Sequence, residues 1–207
     1  MNGHIVLLGD SIFDNAVYVP SGASVLEHLR YILPLDWVVT SLAVDGARMS
    51  SVECQLQQLP NDTTHLFLSV GSNDVLDHVH ILNQSTDFQV SALTTIDRIR
   101  AGFSAEYRRR LDQVCAIRLP LAVCTIYDSI PTLTPPESAA LSVFNEAITK
   151  QIFATGSTLI DLRLICDEAS DYTSMPPIEP SASGGKKIAR AIYRTLFDSK
   201  ITCRVVV

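Results

Sequence analysis

The stretch HIVLLGDSI, His4 to Ile12, contains the unbroken apolar run Ile5 to Leu8, then a glycine, then a hydroxyl at Ser11. A strand with one wet face alternates apolar and polar residues, whereas a strand covered by helices on both faces loses its polar positions. Comparable runs recur at Trp37 to Ser41, His65 to Val70, Leu121 to Ile126 and Thr158 to Asp161. Between them lie helical patterns around Ser24 to Leu33, Ser50 to Leu59, Val90 to Ile117 and Glu137 to Ala154. A last helix runs from Ser183 to Phe197, where Ile188, Ala191, Ile192 and Leu196 make one apolar stripe. Gly184 and Gly185 weaken its first turn. Short buried strands alternating with helices predict an α/β domain built on a parallel sheet.

A chain of 207 residues, 47% hydrophobic and 18% charged, suits one globular domain spanning residues 1–207 rather than disorder or a coiled coil. The net charge of −6 argues against nucleic acid as a partner, because phosphate binding needs clustered Lys and Arg. The basic run Arg108-Arg109-Arg110 reads as the solvated face of a helix. The N-terminus lacks the cationic and apolar regions of a secretory signal, and no apolar stretch reaches the length of a membrane span. Cys54, Cys115, Cys124, Cys166 and Cys203 show no paired or zinc-like spacing and read as reduced core thiols, which implies a cytoplasmic protein.

In an open parallel sheet, ligands bind beyond the carboxyl ends of the strands. Ser11 lies there after the first strand, Asp45-Gly46-Ala47 after the second and Gly71-Ser72-Asn73-Asp74 after the third. Read singly, Ser11 caps a helix, Gly46 serves a turn and Asn73 forms an Asx-turn. Read together, they place a nucleophilic hydroxyl beside two oxyanion donors, the Gly46 backbone N–H and the Asn73 side-chain amide.

Jointly these blocks resemble the SGNH hydrolase superfamily, the GDSL-like lipases and esterases. The resemblance spans almost the whole chain. It implies a flavodoxin-like three-layer α/β/α sandwich with a five-stranded parallel sheet, no cofactor, and a small-molecule ester as substrate. Carried over residue by residue, the nucleophile falls on Ser11, and the oxyanion donors on the Ser11 backbone, Gly46 and Asn73.

The last block departs from the family pattern Asp-x-x-His-Pro-Ser, in which the aspartate orients a histidine base. Here the stretch is Pro176-Pro177-Ile178-Glu179-Pro180-Ser181-Ala182-Ser183-Gly184. Pro180, Ser181 and Gly184 keep the register, so Glu179 stands at the histidine position and Pro176 at the aspartate position. The histidines are His4, His28, His65, His78 and His80, so none can be aligned there. A carboxylate can take a proton and return it, and its apolar neighbours Pro176 and Ile178 favour a raised pKa. A carboxylate also needs no partner to fix a tautomer.

His78 is a rival base, though in Asp77-His78-Val79-His80 it reads more simply as a solvated loop residue, and two histidines do not close a zinc shell. Asp14 either approaches the site or caps a turn, and Arg48 either attracts an anionic substrate or is an ordinary surface arginine. The reading favoured is a serine ester hydrolase with Ser11 as nucleophile and Glu179 as base. Its rival is an inactive pseudo-hydrolase that binds an acyl or acetylated ligand. A nucleotide-binding module ranks last, since no Gly-rich phosphate loop is present. Lipid, acetylated-sugar, thioester and small-ester substrates all fit, with the loops Asp77 to Val90 and Ile130 to Glu137 expected to choose among them.

Overall fold

The computed structural model describes residues 3–78 and 89–198. Its centre is a parallel sheet of five strands, β1 (His4–Gly9), β2 (Val38–Ser41), β3 (His65–Ser69), β4 (Leu121–Cys124) and β5 (Thr158–Ile160), in the order β2-β1-β3-β4-β5. β1 is fully buried, with Ile5 opposite Val39 of β2 and His65 of β3. Its side chains alternate between two cores. Ile5 and Leu7 meet α1 (Val25–Ile32) and α6 (Ala182–Phe197), while Val6 and Leu8 meet α2 (Val52–Leu56), α4 (Gln89–Cys115) and α5 (Pro135–Thr155). The three layers expected from the sequence are therefore present.

Local chemistry sets the helix ends. Ser24 and Glu27 form a capping box that starts α1, with the Ser24 N–H donating to the Glu27 carboxylate at 2.7 Å. Pro135 and Pro136 fill the first turn of α5, and Gly156 ends it in the left-handed region. Ser181 caps α6 by accepting from the Gly184 N–H at 3.2 Å. Gly184 is required by packing, since a Cβ there would lie 2.2 Å from the Asp171 carbonyl oxygen.

Several boundaries differ from those the sequence predicts. β2 begins at Val38 because the Trp37 N–H closes a turn onto the Pro34 carbonyl. The helix expected over Ser50 to Leu59 is a 3-10 turn, Met49–Ser51, followed by the short α2, because Pro60 disfavours helical geometry at Leu59. Ser72–Leu76, read as loop, is a short helix, α3. Arg110 is buried and paired with Glu106 and Glu53, unlike exposed Arg108 and Arg109, because consecutive helical residues point in different directions. Of the cysteines, Cys124 and Cys166 are core thiols but Cys54 is exposed, and Cys203 lies outside the described residues. Among the described residues, no helix is long and apolar enough to cross a membrane.

The carboxyl ends of the strands are held by buried amide side chains. Gln55 closes a two-bond ring on the backbone of Gly9, accepting from its N–H and donating to its carbonyl, both at 2.8 Å. Asn145 does the same to Ile126 after β4. Replacing Gln55 with Leu orphans the buried Gly9 N–H, while the Gly9 carbonyl still accepts from the Val44 N–H at 3.0 Å, and Gln55→Leu is expected to lower the free energy of unfolding by roughly 1–3 kcal/mol, measured by urea denaturation.

Candidate active site

After β1 the chain leaves the sheet on one side and returns as β3 on the other, so the crevice between their carboxyl ends is the topological switch point. Gly9 brings the two strand ends together. Its φ is +124°, and a Cβ there would lie 1.7 Å from the Ser69 carbonyl oxygen. That same oxygen accepts from the Asp10 N–H at 3.0 Å. The chain then turns, with the Phe13 and Asp14 N–H groups both donating to the Asp10 carbonyl, and Ser11 is presented on this turn, largely buried.

Asp10 is fully buried below Ser11. Its carboxylate accepts from the Ser72 hydroxyl at 2.6 Å and from the Ile12 N–H at 3.2 Å. Burial nevertheless pushes its pKa up to about 7, with the Ser72 and Ile12 hydrogen bonds opposing the rise and Glu179 adding to it.

Glu179 is also buried, on the loop before α6. Burial raises its pKa above the ordinary glutamate value, and hydrogen bonding with the Ser11 hydroxyl pulls it back. Its Oε2 has no hydrogen-bond partner in the structure. The backbone around it is tied down instead. The Glu179 carbonyl accepts from the Thr173 N–H at 2.9 Å, the Ile178 carbonyl from the Tyr127 hydroxyl, and the Pro180 carbonyl from the Asn15 side chain at 3.0 Å. Fully buried Asn15 also accepts from the Val25 N–H, so it joins the turn that follows Ser11, the loop that carries Glu179 and α1.

Ser11, Asn73 and Glu179 border one cavity of about 110 Å³ whose other walls are mainly apolar side chains from α4, α5 and the loop after β4. Leu133 and Ile178, from the two proline-rich stretches, face it as well. His78 is half-buried and borders this cavity rather than standing in solvent, because α3 turns the following residues toward it. His80, and positions 79–88 of the loop expected to select substrates, lie outside the described residues.

Gly46 does not border the cavity and is exposed. Its loop is nonetheless fastened to the site. Asp45 donates its N–H to Asp14 at 3.0 Å and accepts from the Tyr18 hydroxyl at 2.7 Å, while the Asn73 amide donates to the Ala47 carbonyl at 2.9 Å. Asp14 is thus a loop fastener. Arg48 forms a bidentate pair with Asp77, both bonds at 2.7 Å, as a surface arginine would. No group of metal-ligating side chains is found among the described residues.

Asp10, Asn15, Ser72 and Tyr127 received no role in the sequence reading. Asp10 stood inside the quoted motif, but its depth depends on the sheet beneath it. A buried acid with a raised pKa stabilises the fold at low pH and loses that contribution as pH rises. Asp10→Asn can keep the Ile12 N–H on its amide oxygen and donate its NH2 to the Ser72 hydroxyl, which reverses that bond and removes the titration. The variant is expected to gain stability over the wild type by up to about 4 kcal/mol between pH 4 and 7, read from paired denaturant titrations.

No protein-family model and no curated protein sequence matches the chain. Solved structures do. The lipase Lip_vut3 from a goat rumen metagenome is 15% identical with a TM-score of 0.74, covering 97% of this chain and 100% of its own. A member of the lipolytic G-D-S-L family from Veillonella parvula is 14% identical, TM-score 0.69, with the same coverage. The acetylxylan esterase Axe2 from Geobacillus stearothermophilus is 16% identical, TM-score 0.65, covering 98% of this chain and 97% of its own. The chain has the fold of the SGNH, or GDSL-type, ester hydrolases.

Proposed function

We propose that this protein is a serine ester hydrolase in which a glutamate replaces the usual histidine base. The observation that carries this reading is that Ser11 and the buried carboxyl of Glu179 stand on the wall of one apolar cavity. A serine hydroxyl is a poor nucleophile until a neighbour takes its proton. Glu179 is that neighbour, and its raised pKa brings its basicity closer to that of an imidazole.

Ser11 Oγ attacks the ester carbonyl while its proton passes to Glu179. The tetrahedral oxyanion is met by the N–H of Ser11 and by the Asn73 amide, which retains one N–H beyond the one given to Ala47, whereas Gly46 stands away from the cavity and is left out of the donor set. Collapse expels the alkoxide, which takes the proton from Glu179 and leaves an acyl-Ser11 ester. Water then repeats the sequence with Glu179 again as base, releasing the acid and restoring the serine.

The base must be ionised, so turnover should rise with pH through an apparent pKa above the ordinary glutamate value. Ser11→Ala and Glu179→Gln are each expected to abolish hydrolysis of p-nitrophenyl esters, the latter with an unchanged circular dichroism spectrum. Asn73→Ala should lower kcat by about a hundredfold or more with little change in KM. Labelling by a fluorophosphonate, followed by peptide mapping, should place the adduct on Ser11. Turnover that survives Glu179→Gln would exclude this base, and wild-type protein that binds ester without turnover would establish a pseudo-hydrolase.

A further inference from the structure

We infer that the cavity beside Ser11 takes an uncharged alkyl group of about four to six carbons, carried on one side of the scissile ester bond. The inference rests on the hydrolase reading above and names the substrate that reading leaves open. Size sets the first limit. An apolar cavity of about 150 Å³ stays dry and holds one benzene molecule, and the present cavity is about 110 Å³. It has room for more than an acetyl methyl group and not for a long chain.

The walls set the second limit. Ile96 and Ile99 from α4, Ile126 and Ile130 from the loop after β4, Phe144 from α5 and Ile178 beside the base offer no hydrogen bonds from their side chains. The polar side chains that border the cavity are largely engaged already. Ser72 donates to Asp10 at 2.6 Å, the Asn73 amide to Ala47 at 2.9 Å, and the Glu137 carboxylate accepts from the Thr134 N–H at 2.8 Å. A sugar placed here would lose water from more hydroxyls than the spare Asn73 N–H, His78 and the Glu179 carboxyl can meet, whereas an alkyl chain loses nothing.

Charge sets the third. Among the described residues bordering the cavity are two carboxylates, Glu137 and Glu179, and no Lys or Arg, with His78 as the one basic side chain. Asp10 lies beneath Ser11, and burial together with Glu179 already disfavours its charge. A phosphate or a second carboxylate on the substrate would add an anion to this field.

Two series of esters test the inference on the wild-type chain. One extends the acyl group of p-nitrophenyl esters from acetyl to dodecanoyl, and the other extends the alcohol of alkyl acetates over the same range. One series should rise by about fourfold in kcat/KM per methylene until roughly four to six carbons and then stop rising. The series that rises identifies the side of the ester that enters the cavity.

Ala140, on α5 at the cavity wall, and Ile96 provide opposed variants. Ala140→Leu should move the limit to shorter chains, and Ile96→Ala should move it to longer ones. An ester of a dicarboxylic monoacid of matching length should be at least tenfold poorer than its uncharged counterpart. The inference is overturned if the shortest member of each series is best, if both series are flat, or if the rise continues unchanged to twelve carbons. It is also overturned if the folded variants leave the limit in place. Fluorophosphonate labelling separates the two claims. If Ser11 is labelled and neither series rises with chain length, the hydrolase reading stands and this inference falls. If no ester is hydrolysed and Ser11 takes no label, both fall.

Discussion

The contact between Gly9 and the Ser69 carbonyl governs the geometry of the whole site. With a Cβ position only 1.7 Å from that oxygen, residue 9 can carry no side chain unless β1 and β3 separate. Their separation would stretch every polar tie across the switch point. The Ser72 hydroxyl would leave Asp10, the Met49 N–H would leave Asp74, and the Asn73 amide would leave Ala47. Gln55 locks Gly9 from the opposite side, so the close approach is fixed by a hydrogen-bonded ring as well as by packing. The nucleophile turn and the loops carrying the oxyanion candidates are thereby registered against one backbone position.

Around that frame the protein accepts two buried carboxyls near one hydroxyl, an arrangement with no advantage for folding. Desolvation raises the pKa of both, and Glu179 adds to the rise at Asp10. The two differ in how their oxygens are satisfied. Both oxygens of Asp10 accept hydrogen bonds, from Ser72 and Ile12, as suits a group that supports a turn. In Glu179, Oε2 has no hydrogen-bond partner among the described residues, and its carboxyl borders the cavity, as the proposed role of proton acceptor requires.

The sheet was legible because a strand buried on both faces leaves a direct trace, an unbroken apolar run, and each of the five runs became a strand within a few residues. The neighbourhood of Ser11 and Asn73 on one cavity was legible because both follow strands that the apolar runs mark, whereas the exposure of Gly46 was not. Helix α3 was not, since its five residues contain no apolar repeat and owe their helical turn to position after Gly71. The amides of Gln55, Asn145 and Asn15 were invisible for another reason. Each bonds backbone far away in sequence, 46 residues for Gln55 and 165 for the Asn15 bond to Pro180, and nothing in the local pattern marks such a partner. His78 illustrates the same limit, because whether a short polar loop faces solvent or a cavity depends on what packs over it.

The proline at position 176 raises the question of how Glu179, the proposed base, is held without the aspartate that the family resemblance leads one to expect there. An imidazole must be held in one tautomer and one orientation, which is what such an aspartate supplies. A carboxylate has two equivalent oxygens and no tautomer, so only its position has to be fixed. Here position is fixed through the backbone. Thr173 holds the carbonyl of Glu179 itself, Tyr127 the carbonyl before it, and Asn15 the carbonyl after it. Tyr127 packs edge-on against Tyr172, whose bridge to Pro180 closes the same loop, and the Ser181 N–H donates to the Asp171 carbonyl at 2.8 Å. For the proposed base, position would thus come from a loop in which three successive carbonyls are bound rather than from one orienting side chain.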